Sequence, residues 1–131
     1  MKNWGPYFWG VLHISALTAP MNMTPQYLDA FMSLIMVYTV TLPCPACRHH
    51  FTQLIAELPA MTGIQTNLEL FAWTVEAHNK VNERIGKRVI GVEEAYRYWL
   101  DRTGYNEPEP PNIELVLVLA LILLISFLVL K

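Results

Sequence analysis

Cys44 and Cys47 are the only cysteines in the chain, and Pro45 and Ala46 alone separate them. Pro43 and Pro45 flank the first of the pair, which places Cys44 at the start of a predicted helix. Backbone N–H groups in a first helical turn have no partner and carry partial positive charge. A thiolate is favoured there and the thiol pKa falls. One turn later, Cys47 lies within bridging distance of Cys44. The expected division of labour is that Cys44 exchanges with another molecule's thiols while Cys47 stays more buried. Arg48, His49 and His50 add cationic or proton-transfer groups beside the pair. A small secreted fold stapled by disulfides would carry more cysteines, so an isolated pair in a reducing compartment reads as redox-active or metal-binding.

Three other readings of the pair compete. Covalent haem attachment needs a histidine directly after the second cysteine, and Arg48 stands there. A thioredoxin-like fold needs strands around the motif, and the flanking sequence supplies none. Zinc is the serious rival: Cys44, Cys47 and His50 with either His13 or His78 would make a tetrahedral set, and the protein would then be a non-catalytic helical adaptor. Structural zinc pairs come more often from knuckles and loops, whereas this pair opens a helix.

A second group of residues bears on the choice. Downstream, Phe71, Val75, His78, Asn82 and Ile85 fall within roughly an 80° arc of one helix, with Asn79 at its border. Polar side chains thus interrupt an apolar stripe, and each buried amide or imidazole needs a partner. A planar heteroaromatic ligand between helices would supply them. His13, on the apolar face of the first helix with Trp9, repeats the pattern. Trp4, Trp9, Phe51, Trp73 and Trp99 could stack on such a ligand, and Lys87 and Arg88 could meet a pyrophosphate. The residues by themselves lead to a redox dithiol beside an aromatic cofactor.

Helices must position these groups. The chain has 131 residues, of which 53% are apolar and 15% charged, with a net charge of −2. That balance offers no electrostatic case for nucleic acid. The spacing predicts helices over Pro6–Leu17, from a Thr24 cap to Leu42, from about Cys44 to Leu58, from the Thr66 capping box to Gly86, and over Val92–Arg102 closed by Gly104. The one candidate strand, Arg88–Ile90, is too short to build a sheet, so the fold class is all-α. Residues 1–104 form the expected domain and residues 105–112 a proline-rich acidic spacer. Residues 113–131 form a C-terminal transmembrane anchor, since the apolar run Ile113–Leu130 would cover roughly 27 Å as a helix. Met1 to Trp9 shows neither a continuous apolar stretch nor a small-residue cleavage site, so the domain is expected on the cytosolic side of its membrane.

The same residues resemble the Erv/ALR family of FAD-linked sulfhydryl oxidases. The shared marks are Trp4-Gly5-Pro6 with Trp9 and His13, then Leu42-Pro43-Cys44-Pro45-Ala46-Cys47-Arg48-His49-His50, then Trp73 with His78-Asn79-Lys80-Val81-Asn82-Glu83-Arg84-Ile85-Gly86-Lys87. The compact form looks most like the versions encoded by large cytoplasmic DNA viruses, which would set it in host cytoplasm and virion membrane. The resemblance implies a four-helix bundle holding FAD, a short fifth helix and a homodimer. It implies oxidation of protein dithiols, with electrons passing to the flavin and then to O2, giving H2O2. Cys44 and Cys47 would be the catalytic pair, Cys47 against the isoalloxazine. Gly5, Trp9, His13, His50, Trp73, His78, Asn79, Val81, Asn82, Lys87 and Trp99 fall where the family contacts FAD. Cellular members carry further cysteines in a shuttle pair and a bracing disulfide. Here a substrate must meet Cys44 directly or through a separate small dithiol relay.

Overall fold

A computed structural model describes residues 3–106 and 112–129, without the side chains of Leu115, Val116 and Val129. Six α-helices follow one another: α1 (Gly5–Leu17), α2 (Pro25–Thr41), α3 (Pro45–Glu57), α4 (Asn67–Arg84), α5 (Val92–Thr103) and α6 (Ile113–Val129), with one 3₁₀ turn at Met61–Gly63. No strand occurs among the described residues. The predicted helix limits agree to within two or three residues because local chemistry sets them. Thr24 caps α2 by accepting from the Tyr27 N–H, with Pro25 at the first position. Pro43 and Pro59 stop α2 and α3. Thr66 and Glu69 close a reciprocal capping box at the start of α4. Gly104, at φ +63°, ends α5 in a left-handed conformation that costs glycine little.

The first four helices surround one apolar core. Leu12, Leu17, Ile35, Leu70 and Phe71 are fully buried in it, each removal from water stabilising the fold by about 1.5–3 kcal/mol. Helix α1 lies along α4 and α2 along α3, while α5 packs on α4. The amide of Asn67, buried at the start of α4, donates to the Leu17 carbonyl at the end of α1 (3.2 Å). Further along, His78 of α4 meets His13 of α1, so the two helices run antiparallel. Tyr27 and Tyr38 of α2 reach across to the Ser15 and Phe8 carbonyls of α1.

The C-terminal expectation fares differently. Helix α6 has 17 described residues, every described side chain is exposed, and it does not pack substantially against the other helices. Among the described residues no helix is long and apolar enough to cross a membrane. The expected transmembrane span therefore finds no support in the structure. Most of the proline-rich spacer assigned to residues 105–112 lies outside the described residues.

Candidate functional site

Cys44 is the N-cap of α3, and its sulfur is disulfide-bonded to Cys47. The Cys47 backbone N–H points at the Cys44 Sγ from 3.2 Å. The helix terminus therefore directs its positive end at the sulfur expected to exchange. Both cysteines are partly exposed. The loop entering the motif is held from behind, where the Arg48 guanidinium donates to the Leu42 carbonyl at 2.6 Å. Pro43 cannot continue a backbone ladder there, so a side chain supplies the missing restraint.

One turn beyond Cys47, Phe51 turns into the core and meets Trp9 edge-on, with ring centroids 6.2 Å apart. Trp9 begins a seam of rings between α1 and α4. It stacks on His78 at 4.2 Å with planes only 8° apart, and on His13 at 5.9 Å and 23°. From α5, Trp99 closes the seam against His13 at 5.5 Å. It can approach because Gly10 has no side chain: a Cβ there would lie 3.2 Å from the Trp99 ring edge. Nearly parallel planar rings from two helices, reaching through Phe51 towards a disulfide, suit a flat heteroaromatic group.

Within the seam the polar atoms are joined to one another. His13 is 2% exposed; its Nδ1 lies 2.8 Å from the Thr74 hydroxyl and its Nε2 lies 3.0 Å from His78 Nδ1. Burial, then the charge of His78, lowers the His13 pKa to about 3. Burial, then the Lys87 ammonium, lowers that of His78 to about 4. Both imidazoles are neutral at pH 7. Thr74 was not singled out by sequence reasoning, although its position one turn before His78, at the border of the same arc, is a readable signal.

Two of the expected site residues are engaged within the fold. Polar residues on the core stripe need partners, which a ligand or the fold itself could supply. Among the described residues, no buried side-chain nitrogen or oxygen lacks a hydrogen bond. Asn79 is engaged within the fold: its amide donates to the Ile90 carbonyl at 2.7 Å and its carbonyl accepts from the Ile90 N–H at 3.1 Å. It clamps the segment entering α5 onto α4. The indole N–H of Trp73, buried on α4, donates to the Pro59 carbonyl at 2.9 Å.

The other expected site residues divide similarly. Gly5 begins α1, and Val81 packs at the margin of the core. Asn82 is half-buried, its backbone carbonyl accepting from the Lys87 N–H. Lys87 is exposed yet close enough to depress the His78 pKa. His50 is exposed and faces His49 at 6.1 Å. A separate cleft of about 500 Å³, lined by Glu76, Asn79, Lys80, Glu83 and Val92 among others, touches neither the disulfide nor the histidines. Chemistry rather than volume therefore locates the site. No group of three or more His, Cys, Asp or Glu side chains that could hold a metal ion occurs among the described residues, which leaves the zinc rival without a ligand set.

Comparison with known proteins decides among the remaining readings. Residues 6–100 match the model of the Erv1 / Alr family. The chain belongs to the Erv1/Alr family. It is 33% identical over 101 residues to the 347L protein of Invertebrate iridescent virus 6, an alignment covering 73% of this chain and 91% of that one. It is 31% identical over 96 residues to the FAD-linked sulfhydryl oxidase of African swine fever virus, covering 72% and 77%. The solved FAD-binding domain of Erv1 from Saccharomyces cerevisiae superposes with a TM-score of 0.64 at 26% identity, over 81% of this chain and 99% of that domain. The family match contains α1 beyond Gly5, all of α2, α3 and α4 and most of α5, hence the disulfide and the whole ring seam.

Proposed function

We propose that this protein is an FAD-dependent sulfhydryl oxidase that forms disulfide bonds in substrate proteins. The observation that carries this is the Cys44–Cys47 disulfide opening α3, with Phe51 one turn further along the helix meeting Trp9 of the Trp9, His78 and His13 ring stack, in an Erv1/Alr domain. The residues present fit FAD: a stack of parallel rings, neutral imidazoles and the cationic Lys87 nearby. Trp9, His78 and Trp99 would hold its aromatic parts, with His13 backing His78, and Lys87 its phosphates. When bound, the flavin accepts two electrons from the cysteine pair and passes them to O2, giving H2O2.

This chain's own residues account for thiol exchange. A substrate thiolate attacks Cys44 Sγ, the Cys44–Cys47 bond breaks, and Cys47 leaves as thiolate. The substrate's second thiolate then attacks its own sulfur in the mixed disulfide, completing the substrate disulfide and releasing the Cys44 thiolate. The substrate has lost two electrons and the cysteine pair has gained them. The released Cys44 thiolate is held by the Cys47 N–H and the positive end of α3. With no other cysteine in this chain, the dithiol must come from the substrate protein or a small relay protein.

Two further features belong to this reading. The exposed apolar residues Tyr7, Val11, Met36, Val37 and Val40 of α1 and α2 support a homodimer through these helices. The apolar composition and exposure of the described part of α6 motivate a membrane anchor, with the oxidase domain on the cytosolic side and, for a viral protein, in host cytoplasm and virion membrane. Co-flotation of the full chain with lipid vesicles, lost when residues 113–131 are removed, supports the anchor; unchanged flotation ends it. For the activity itself, the purified chain should show flavin absorbance near ~450 nm and consume O2 with a dithiol present. A colourless protein with one zinc bound would overturn the reading in favour of the adaptor.

A further inference from the structure

We propose that Thr74 is a positioning residue that fixes the tautomers of His13 and His78, leaving His78 Nε2 unprotonated as a hydrogen-bond acceptor for the cofactor. Proton directions along a chain of four groups carry the argument. Thr74 is fully buried, and its hydroxyl lies 2.7 Å from the Phe71 carbonyl. A carbonyl only accepts, so the single hydroxyl proton of Thr74 must point there; turned elsewhere, it would leave two oxygens facing at 2.7 Å with no proton between them. Thr74 Oγ1 can then only accept from the other side, and His13 Nδ1, 2.8 Å away, must carry the proton it receives.

A neutral imidazole has one N–H and one bare nitrogen. With Nδ1 protonated, His13 Nε2 is bare and accepts from His78 Nδ1 at 3.0 Å. That in turn leaves His78 Nε2 bare. The order is thus set by a backbone carbonyl and transmitted outward: Phe71 O, Thr74, His13, His78. The depressed pKa values of both rings agree, since either imidazolium would put an extra proton into the chain. A bare Nε2 selects ligand donors, and a flavin dinucleotide carries them at its ring imide, its ribityl hydroxyls and its adenine amino group. The ligand's identity rests on the flavin reading above; the tautomer order does not.

The test uses the full flavin-loaded chain with 15N-labelled histidine, reading by two-bond 1H–15N correlation which ring nitrogens carry protons at pH 7. His13 and His78 should both be protonated at Nδ1. In Thr74→Val the His13 Nδ1–H has no acceptor, so the pair should shift to a mixture in which His78 carries its proton on Nε2. The FAD dissociation constant should rise about tenfold. Thr74→Ser, which keeps the hydroxyl, should restore both readouts. A wild-type spectrum with His78 protonated at Nε2 overturns the proposal whether or not the valine variant folds. Unchanged tautomers in a folded Thr74→Val protein, or unchanged FAD affinity despite shifted tautomers, overturn it as well. Failure of the flavin reading looks different, as a chain that never acquires colour.

Discussion

The disulfide corner and the histidine seam lie close together in the fold but are built by opposite means. Cys44 and Cys47 are partly open to solvent at a helix start, in a loop framed by two prolines and tied by one guanidinium. His13 and Thr74 are sealed in the core, every hydrogen bond directed at another side chain or carbonyl. Exchange with another protein's thiol demands access, so the first region must be exposed and its reactivity tuned by a local helix terminus. Electron acceptance by a flat cofactor demands a dry, ordered wall. Phe51 joins the two, one helical turn from Cys47 and in contact with Trp9.

The sharpest way to separate the regions is Cys47→Ser. Dithiol-dependent O2 consumption should fall at least ~10³-fold while the flavin spectrum persists, because the seam does not need the sulfur. Loss of colour together with activity would show that the two regions are not separable.

Acid should strike the seam rather than the corner. The unfolded chain binds protons on His13 and His78 near pH 6.5, whereas the folded chain resists until about 3 and about 4. Full stability is therefore present above pH 6.5 and declines as pH falls towards 4, by up to ~1.4 kcal/mol per pH unit for each group. The partial exposure of His78 makes its share smaller. Thermal melts across this window should show the decline, and His13→Gln should flatten it. Equal slopes in both proteins would mean that another group controls the acid transition.

Asn79 tests where the seam ends. Asn79→Ala removes both bonds to Ile90 and should cost about 2 kcal/mol in denaturant titrations through the loosened approach to α5. The smallest effect expected is for Thr66→Ala, about 1 kcal/mol from the lost cap of α4, with flavin absorbance and turnover unchanged. A change in the flavin spectrum there would make the seam sensitive to the far end of its helix.

Much of the fold was legible because helix limits are local. Pro25, Pro43, Pro59, the Thr66 box and Gly104 act on their own backbones within a few residues. The place of Cys44 at a helix start was legible for the same reason, since its flanking prolines need no distant partner to be read. The polar stripe at His78, Asn79 and Asn82 was visible as a periodic anomaly. The partners of those groups were not legible, because period alone does not say which partner a buried group finds.

Tertiary structure decided those partners. Asn79 turned out to hold Ile90, Trp73 to hold Pro59, and Thr74 to order His13 from 61 residues away in sequence. Glycine at position 10 acquired meaning only when Trp99 packed against it. Sequence by itself determined the helices, the redox-ready cysteine pair and the family marks, since each is written in neighbouring residues. Which polar groups meet, and hence which ring nitrogen is left bare, depends on the antiparallel docking of α1 on α4. A hydrogen bond is set by ångström-scale geometry between segments that the linear pattern leaves unrelated.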